Sequence, residues 1–154
     1  MSILSPLKAE HIWLERIEIA VTQGYENEGP EDYKVDVKMD VKKHEDALAW
    51  RLRLAIKLTP APDFVCRYER IAIITMGQFE LPADTPEELV RQIVPFNCVS
   101  ILHGFARGVV AQVTGLNDGG PFLLPTVNFF EALKVKGGKS KATAKTGAAG
   151  TTKE

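Results

Sequence analysis

From Tyr33 to Lys42 the chain alternates without a break. Tyr33, Val35, Val37, Met39 and Val41 are apolar, and Lys34, Asp36, Lys38, Asp40 and Lys42 are charged. Period-two alternation puts the two sets on opposite faces of a strand, one for a core and one for water. The pattern recurs as Trp50, Leu52, Leu54, Ile56 and Leu58 against Arg51, Arg53, Ala55 and Lys57, until Pro60 and Pro62 end it. Upstream, Ile12 and Leu14 give way to Ile17, Ile19 and Val21, a slip of one residue that predicts a β-bulge. Downstream, a run rich in Ile, Tyr and Phe extends from about Phe64 to Leu81, with Gly77 as the expected bend or bulge. Consecutive strands with one polar face predict an antiparallel sheet covered on one side only.

The period changes at Asp84. Thr85-Pro86-Glu87-Glu88 has the composition of a capping box, and a short helix through about Ile93 should follow. After Pro95, Ile101, Leu102, Phe105, Ala106, Val109, Val110 and Val113 form the broad apolar face of a longer helix ending near Gly115. Gly104, Gly108 and Ala111 make a second stripe. A mid-helix glycine costs about 1 kcal/mol relative to alanine, so the stripe points to close packing, either on the chain's own sheet or against a second helix. Residues 116–125 read as a loop, and Asn128 caps a last turn that holds Phe129, Phe130 and Leu133. The fold class is α+β: a four-stranded antiparallel sheet with one long helix, plus short helices, packed on one face.

With 154 residues, 45% of them apolar and 25% charged, the chain suits one globular domain. Its net charge of −1 conceals a division, because residues 1–133 hold 13 Lys and Arg against 19 Asp and Glu. Residues 134–154 hold six Lys against one Glu. That Lys-, Ala-, Gly- and Thr-rich tail carries one Val and no other large apolar side chain, so disorder is expected there. Without aromatic interleaving the tail reads as solubilising rather than as a nucleic-acid or lipid contact. Cys66 and Cys98 lack a CxxC spacing, and His11, His44 and His103 are scattered. No metal site and no cofactor is expected. No stretch reads as a bilayer span and the N-terminus lacks a signal-peptide pattern, so the expected location is the cytoplasm.

Two motifs carry a family resemblance. Ile101-Leu102-His103-Gly104-Phe105-Ala106-Arg107 is an Ile-Leu pair followed, after two residues, by aromatic-Ala-Arg. Pro125-Thr126-Val127-Asn128-Phe129 follows at a matching distance. Together with the order of strands and helix, these resemble the SecB family of protein-export chaperones across roughly residues 10–133. Phe64-x-Cys66 and Tyr33 ahead of residues 37–41 add weaker matches. The family motif residues are thus Phe105, Ala106, Arg107, Pro125, Val127, Asn128 and Phe129. Departures include Val99-Ser100 in place of a Pro-Asn and the basic tail in place of a long C-terminal helix.

The resemblance implies an ATP-independent holdase, not an enzyme, that binds unfolded polypeptide for export and assembles as a homotetramer, a dimer of dimers. It implies a peptide-binding groove of Tyr25, Tyr33, Val37, Met39, Val41, Phe129, Phe130 and Leu133. Read from the residues alone, Val37 and Met39 fit a core equally well. The same likeness assigns Gly104, Gly108 and Ala111 to the oligomer interface. The acidic positions with which the family docks the SecA motor fall on Arg16, Ala20 and Arg67, which oppose a basic partner. That departure favours an alternative client, such as an antitoxin in a toxin–antitoxin system. A rival of another class is a small hotdog-like enzyme, which would need His103 or Asp118. A scaffold without clients would fill the groove with its own side chains.

Overall fold

The computed structural model describes residues 5–26, 29–129 and 142–146. Four long strands are joined in chain order: β1 (Lys8–Val21), β2 (Tyr33–Lys43), β3 (Ala49–Pro60) and β4 (Tyr68–Glu80). Helices α1 (Glu87–Ile93) and α2 (Val99–Thr114) follow, and a short strand, β5 (Ala142–Thr146), comes from the tail. The sheet order is β1-β4-β3-β2-β5, antiparallel throughout.

The alternating pattern decides which face is covered. Tyr33, Val35 and Val37 of β2, Trp50 through Leu58 of β3 at every second position, and Ile71, Ile73 and Phe79 of β4 are buried against Leu102, Ala106 and Val110 of α2. The other face holds Arg51, Arg53, Lys57 and Arg70, with Arg53 paired to Glu15 at 2.9 Å and Arg70 to Glu18 at 3.0 Å. The expected slip in β1 is present as a register shift between Leu14 and Arg16, with further shifts near Ala9 and Val21.

Several expectations change. The fourth strand begins at Tyr68 rather than Phe64, because residues 61–67 form the turn that brings Cys66 back to Asp32, whose carbonyl accepts its thiol at 3.2 Å. Gly77 is no bend: it pairs in register with both Ile12 and Leu52. A β-carbon there would lie 2.5 Å from the Phe79 ring and 2.9 Å from Leu102 of α2, so glycine leaves room for both side chains. Thr85 does not cap α1. Its hydroxyl donates backwards to the Pro82 carbonyl at 2.6 Å, and Val90 N–H reaches the Pro86 carbonyl instead.

Pro95 does not separate the helices either. It sits in a π-type turn, Val94–Cys98, where the wider hydrogen-bond spacing accommodates a residue without an N–H. The joined run Glu87–Thr114 is long and apolar enough to cross a membrane by length and composition, contrary to the sequence reading. Here it lies on the sheet through Leu102, Ala106 and Val110. Within the lysine-rich tail, Ala142–Thr146 pairs with β2; main-chain hydrogen bonding to an open edge needs no apolar side chains. The remainder of that segment, with Phe130 and Leu133, lies outside the described residues.

Candidate functional site

After α2 the chain turns back along its own helix, and three local contacts fix the return. Thr114 is buried; its hydroxyl donates to the Val110 carbonyl at 2.6 Å and accepts the Phe122 N–H at 2.8 Å. Further along, His103 Nε2 lies 3.1 Å from the Pro125 carbonyl. A carbonyl only accepts, so that nitrogen carries the proton. The His103 ring also stands edge-on to Phe129 at 5.3 Å, and Leu124 and Val127 enter the core. The two sequence motifs are thus one structural unit, the helix and the segment docked on it. Burial holds the His103 imidazole below its ordinary pKa, favouring the neutral ring.

This returning segment occupies space expected to be groove. The Phe122 ring sits between Tyr33 and Tyr68, edge-on to both at 5.3 and 5.6 Å. Tyr33 and Val37, assigned by resemblance to the peptide groove, are buried in the core of the chain. Phe122, which follows Gly119-Gly120-Pro121, covers the Tyr33 ring and was not singled out in the sequence. Burial pushes the Tyr33 phenol far above its ordinary pKa, and its oxygen accepts the Tyr68 N–H at 3.3 Å. Met39 is partly buried against the core, while Val41 is exposed near the far end of β2. Phe129 is partly buried by its contact with His103.

What remains open is a cleft of about 570 Å³ between the turn after β1 and the loop after α2. Tyr25 forms one wall, its phenol donating to Glu31 at 2.6 Å, and the Arg67 guanidinium lies 5.6 Å from the centre of its ring. The hydrogen bond to Glu31 raises the Tyr25 phenol above its ordinary pKa. Asn117, Asp118 and Gly119 form the opposite wall. Gly119 packs against the Arg67 guanidinium so closely that any side chain there would displace it. Asn117 donates from Nδ2 to the Tyr68 hydroxyl at 3.4 Å, and Thr22 binds the Cys66 and Arg67 carbonyls. The walls are polar, and Tyr68 reaches the cleft from the aromatic cluster.

Arg16 and Ala20 lie on β1, and Arg67 stands beside its end, where its carbonyl accepts the Thr22 N–H at 2.8 Å. Arg16 and Ala20 share the outer sheet face, opposite Ile74 and Arg70, and Glu18 between them meets Arg16 at 3.4 Å and Arg70 at 3.0 Å. Arg67 stands in the cleft. Gly104 and Gly108 are exposed, and a β-carbon at either would meet no atom within 4 Å. They do not serve packing on the chain's own sheet. Phe105, Arg107 and Ala111 are partly buried on the same helix, and Ala106 is buried. His103 and Asp118, the residues a hotdog-like enzyme would use, are separated by about 16 Å of helix from His103 to Thr114, with Asp118 in the loop beyond. Cys66 and Cys98 are free and buried, and burial pushes the Cys98 thiol up to about 12. Among the described residues, no group of three or more His, Cys, Asp or Glu side chains is arranged to hold a metal ion.

No protein-family model and no curated protein sequence matches the chain. Solved structures do match. The Mycobacterium tuberculosis SecB-like chaperone Rv1957, in complex with a ChAD peptide from the Rv1956 HigA1 antitoxin, aligns over 79% of this chain and 91% of that one. The TM-score is 0.52 at 16% identity. A Streptococcus agalactiae protein of unknown function aligns over 78% of this chain and 97% of that one, with a TM-score of 0.44 at 14% identity. The sheet, the helix and the segment docked on it make up a SecB-like fold.

Proposed function

We propose that this protein is a nucleotide-independent holdase of the cytoplasm that binds extended, non-native polypeptide. The observation that carries the reading is the SecB-like fold, together with a neighbour of that fold whose structure includes a bound antitoxin peptide. Two features on this chain support it: the cleft beside Tyr25 and Arg67, and the long straight edge of β2. Both suit main-chain and flat-ring contacts that tolerate many sequences.

Clients of a dedicated kind, such as an antitoxin, fit better than general export. Glu18 is already shared by Arg16 and Arg70, so the outer sheet face around it sets two cations against one carboxylate and disfavours the basic tail of a SecA motor. Exposed Gly104 and Gly108, with half-exposed Ile101 beside them, suit helix-to-helix contact in a homotetramer. Phe122 seated at Tyr33 favours a competing reading, a scaffold without clients.

The decisive assay is light scattering from a chemically denatured, aggregation-prone reporter diluted into buffer without nucleotide. Stoichiometric protein should suppress the scattering. No suppression at a several-fold excess would rule out the holdase and leave the scaffold. Native mass measurement should give four times 17.0 kDa, and a monomer would contradict the assembly.

A further inference from the structure

β2 has two unlike halves along its outer edge. Tyr33–Val37 pairs with Thr146–Ala142, whereas Lys38–Lys43 has no strand on that side among the described residues. The pairing of β2 with β3 runs from Tyr33 to Lys43 without a register irregularity, so the edge carries no bulge to turn it away. An unbulged edge of this length accepts an additional strand through its main chain.

The strand already there is a weak occupant. Its sequence is Ala-Thr-Ala-Lys-Thr, with Ala142 and Ala144 at the register positions opposite Val37 and Val35. Alanine has low strand preference. Lys145 stands opposite Lys34, and like charges at directly opposed positions disfavour pairing. The resident covers five of the 11 residues of β2, and a longer strand would gain main-chain bonds over the rest.

We propose that Ala142–Thr146 is an intramolecular occupant of a strand-addition site on β2 and is displaced by an extended segment of a partner polypeptide. The displacing segment runs antiparallel to β2, with β-branched or aromatic residues opposite Val35 and Val37 and a carboxylate opposite Lys34. For the identity of the partner this rests on the holdase reading; the occupancy of the edge by the tail does not. The tail is tethered to the body, so it competes at high effective concentration and lowers the apparent affinity by the fraction of edges left open.

Three forms of the full chain test it: wild type, the pair Thr143→Pro/Ala144→Pro, and Lys145→Glu. Proline removes consecutive N–H groups, so either hydrogen-bonding phase of β5 loses a donor. Amide hydrogen exchange at those alternate amides of Tyr33–Val37 that face β5 should quicken about tenfold in the proline form if the edge is about nine-tenths occupied. It should slow roughly two- to fivefold in Lys145→Glu, the range set by one cross-strand pair. Exchange within β3 should not change and serves as the control for folding.

The probe for displacement is a fluorescein-labelled peptide with the core Val-Thr-Val-Glu-Val flanked by serines. Relative to wild type, its affinity should rise about tenfold in the proline form and fall roughly two- to fivefold in Lys145→Glu. Equal exchange in all three forms overturns the occupancy. Altered exchange with unaltered probe affinity overturns the competition. Failure of reporter holding alone, with these results intact, removes the holdase reading and leaves the tail-gated edge standing.

Discussion

The two stretches that follow α2 are held in opposite ways. Residues 115–129 are tied by side chains: Thr114 to the Phe122 N–H, His103 to the Pro125 carbonyl, and Leu124 and Val127 in the core. Residues 142–146 are tied by strand pairing to β2, with small residues opposite Val35 and Val37. Contacts that bury specific side chains fix one arrangement, because any substitute leaves a cavity or an unpaired polar group. Main-chain pairing on an edge is indifferent to sequence, so another strand can replace it. The first stretch belongs to the scaffold and the second is exchangeable.

The contrast can be broken most forcefully at Leu124. It is fully buried, and Leu124→Ala should cost about 2–5 kcal/mol, seen as a lower urea midpoint with the slope unchanged. A midpoint shift below about 0.5 kcal/mol would mean that the returning segment is not part of the core. Next in size is Thr114→Val, which strips the Phe122 N–H of its acceptor and should cost about 1–3 kcal/mol. The substitution keeps the shape of the side chain, so an unaffected midpoint would show that the hydrogen bond is dispensable.

Acid should loosen the same stretch by a smaller amount. The folded pKa of His103 lies below its unfolded value of 6.5, so the unfolded chain takes up the proton first. Its contribution is present above pH 6.5 and is lost as pH falls from there through the depressed folded value. Wild type should therefore lose more stability than His103→Gln between pH 7.5 and 5.5, measured as paired urea midpoints. Parallel loss in both would show that the ring is solvated. The smallest effect sharpens the other side of the comparison. Lys145→Ala should leave global stability within about 0.5 kcal/mol, since it leaves the main-chain pairing of Ala142–Thr146 with β2 in place.

A second pair of regions, the two long edges of the sheet, makes the same point about pairing. β1 is irregular, with shifts at three places, whereas β2 pairs with β3 without interruption. Bulges discourage addition of a strand. The edge without bulges is the one carrying the tail.

The strands were legible because alternation is a local property with one reading: at every second position from Trp50 to Leu58 the residue is buried, as its period requires. The slip at Leu14 was legible for the same reason. The motif residues His103, Pro125 and Phe129 stood out as a pattern, but their contact joins positions more than 20 apart in sequence. The site was less legible. Tyr33 and Val37 have the composition of either a core or a groove, and at Tyr33 the burial depends on Phe122 arriving from beyond α2.

By itself, the sequence determined the number and order of the long strands, the covered face and the helix that covers it, because period and polarity act over neighbouring residues. Only the tertiary structure decided that Gly77 makes room for Leu102 and that Pro95 is absorbed in a π-type turn. It also decided that Phe122 closes the expected groove and that a lysine-rich tail strand finds the edge of β2. Each of these depends on which distant segments meet, and meeting is settled by packing and by unpaired backbone groups rather than by local pattern.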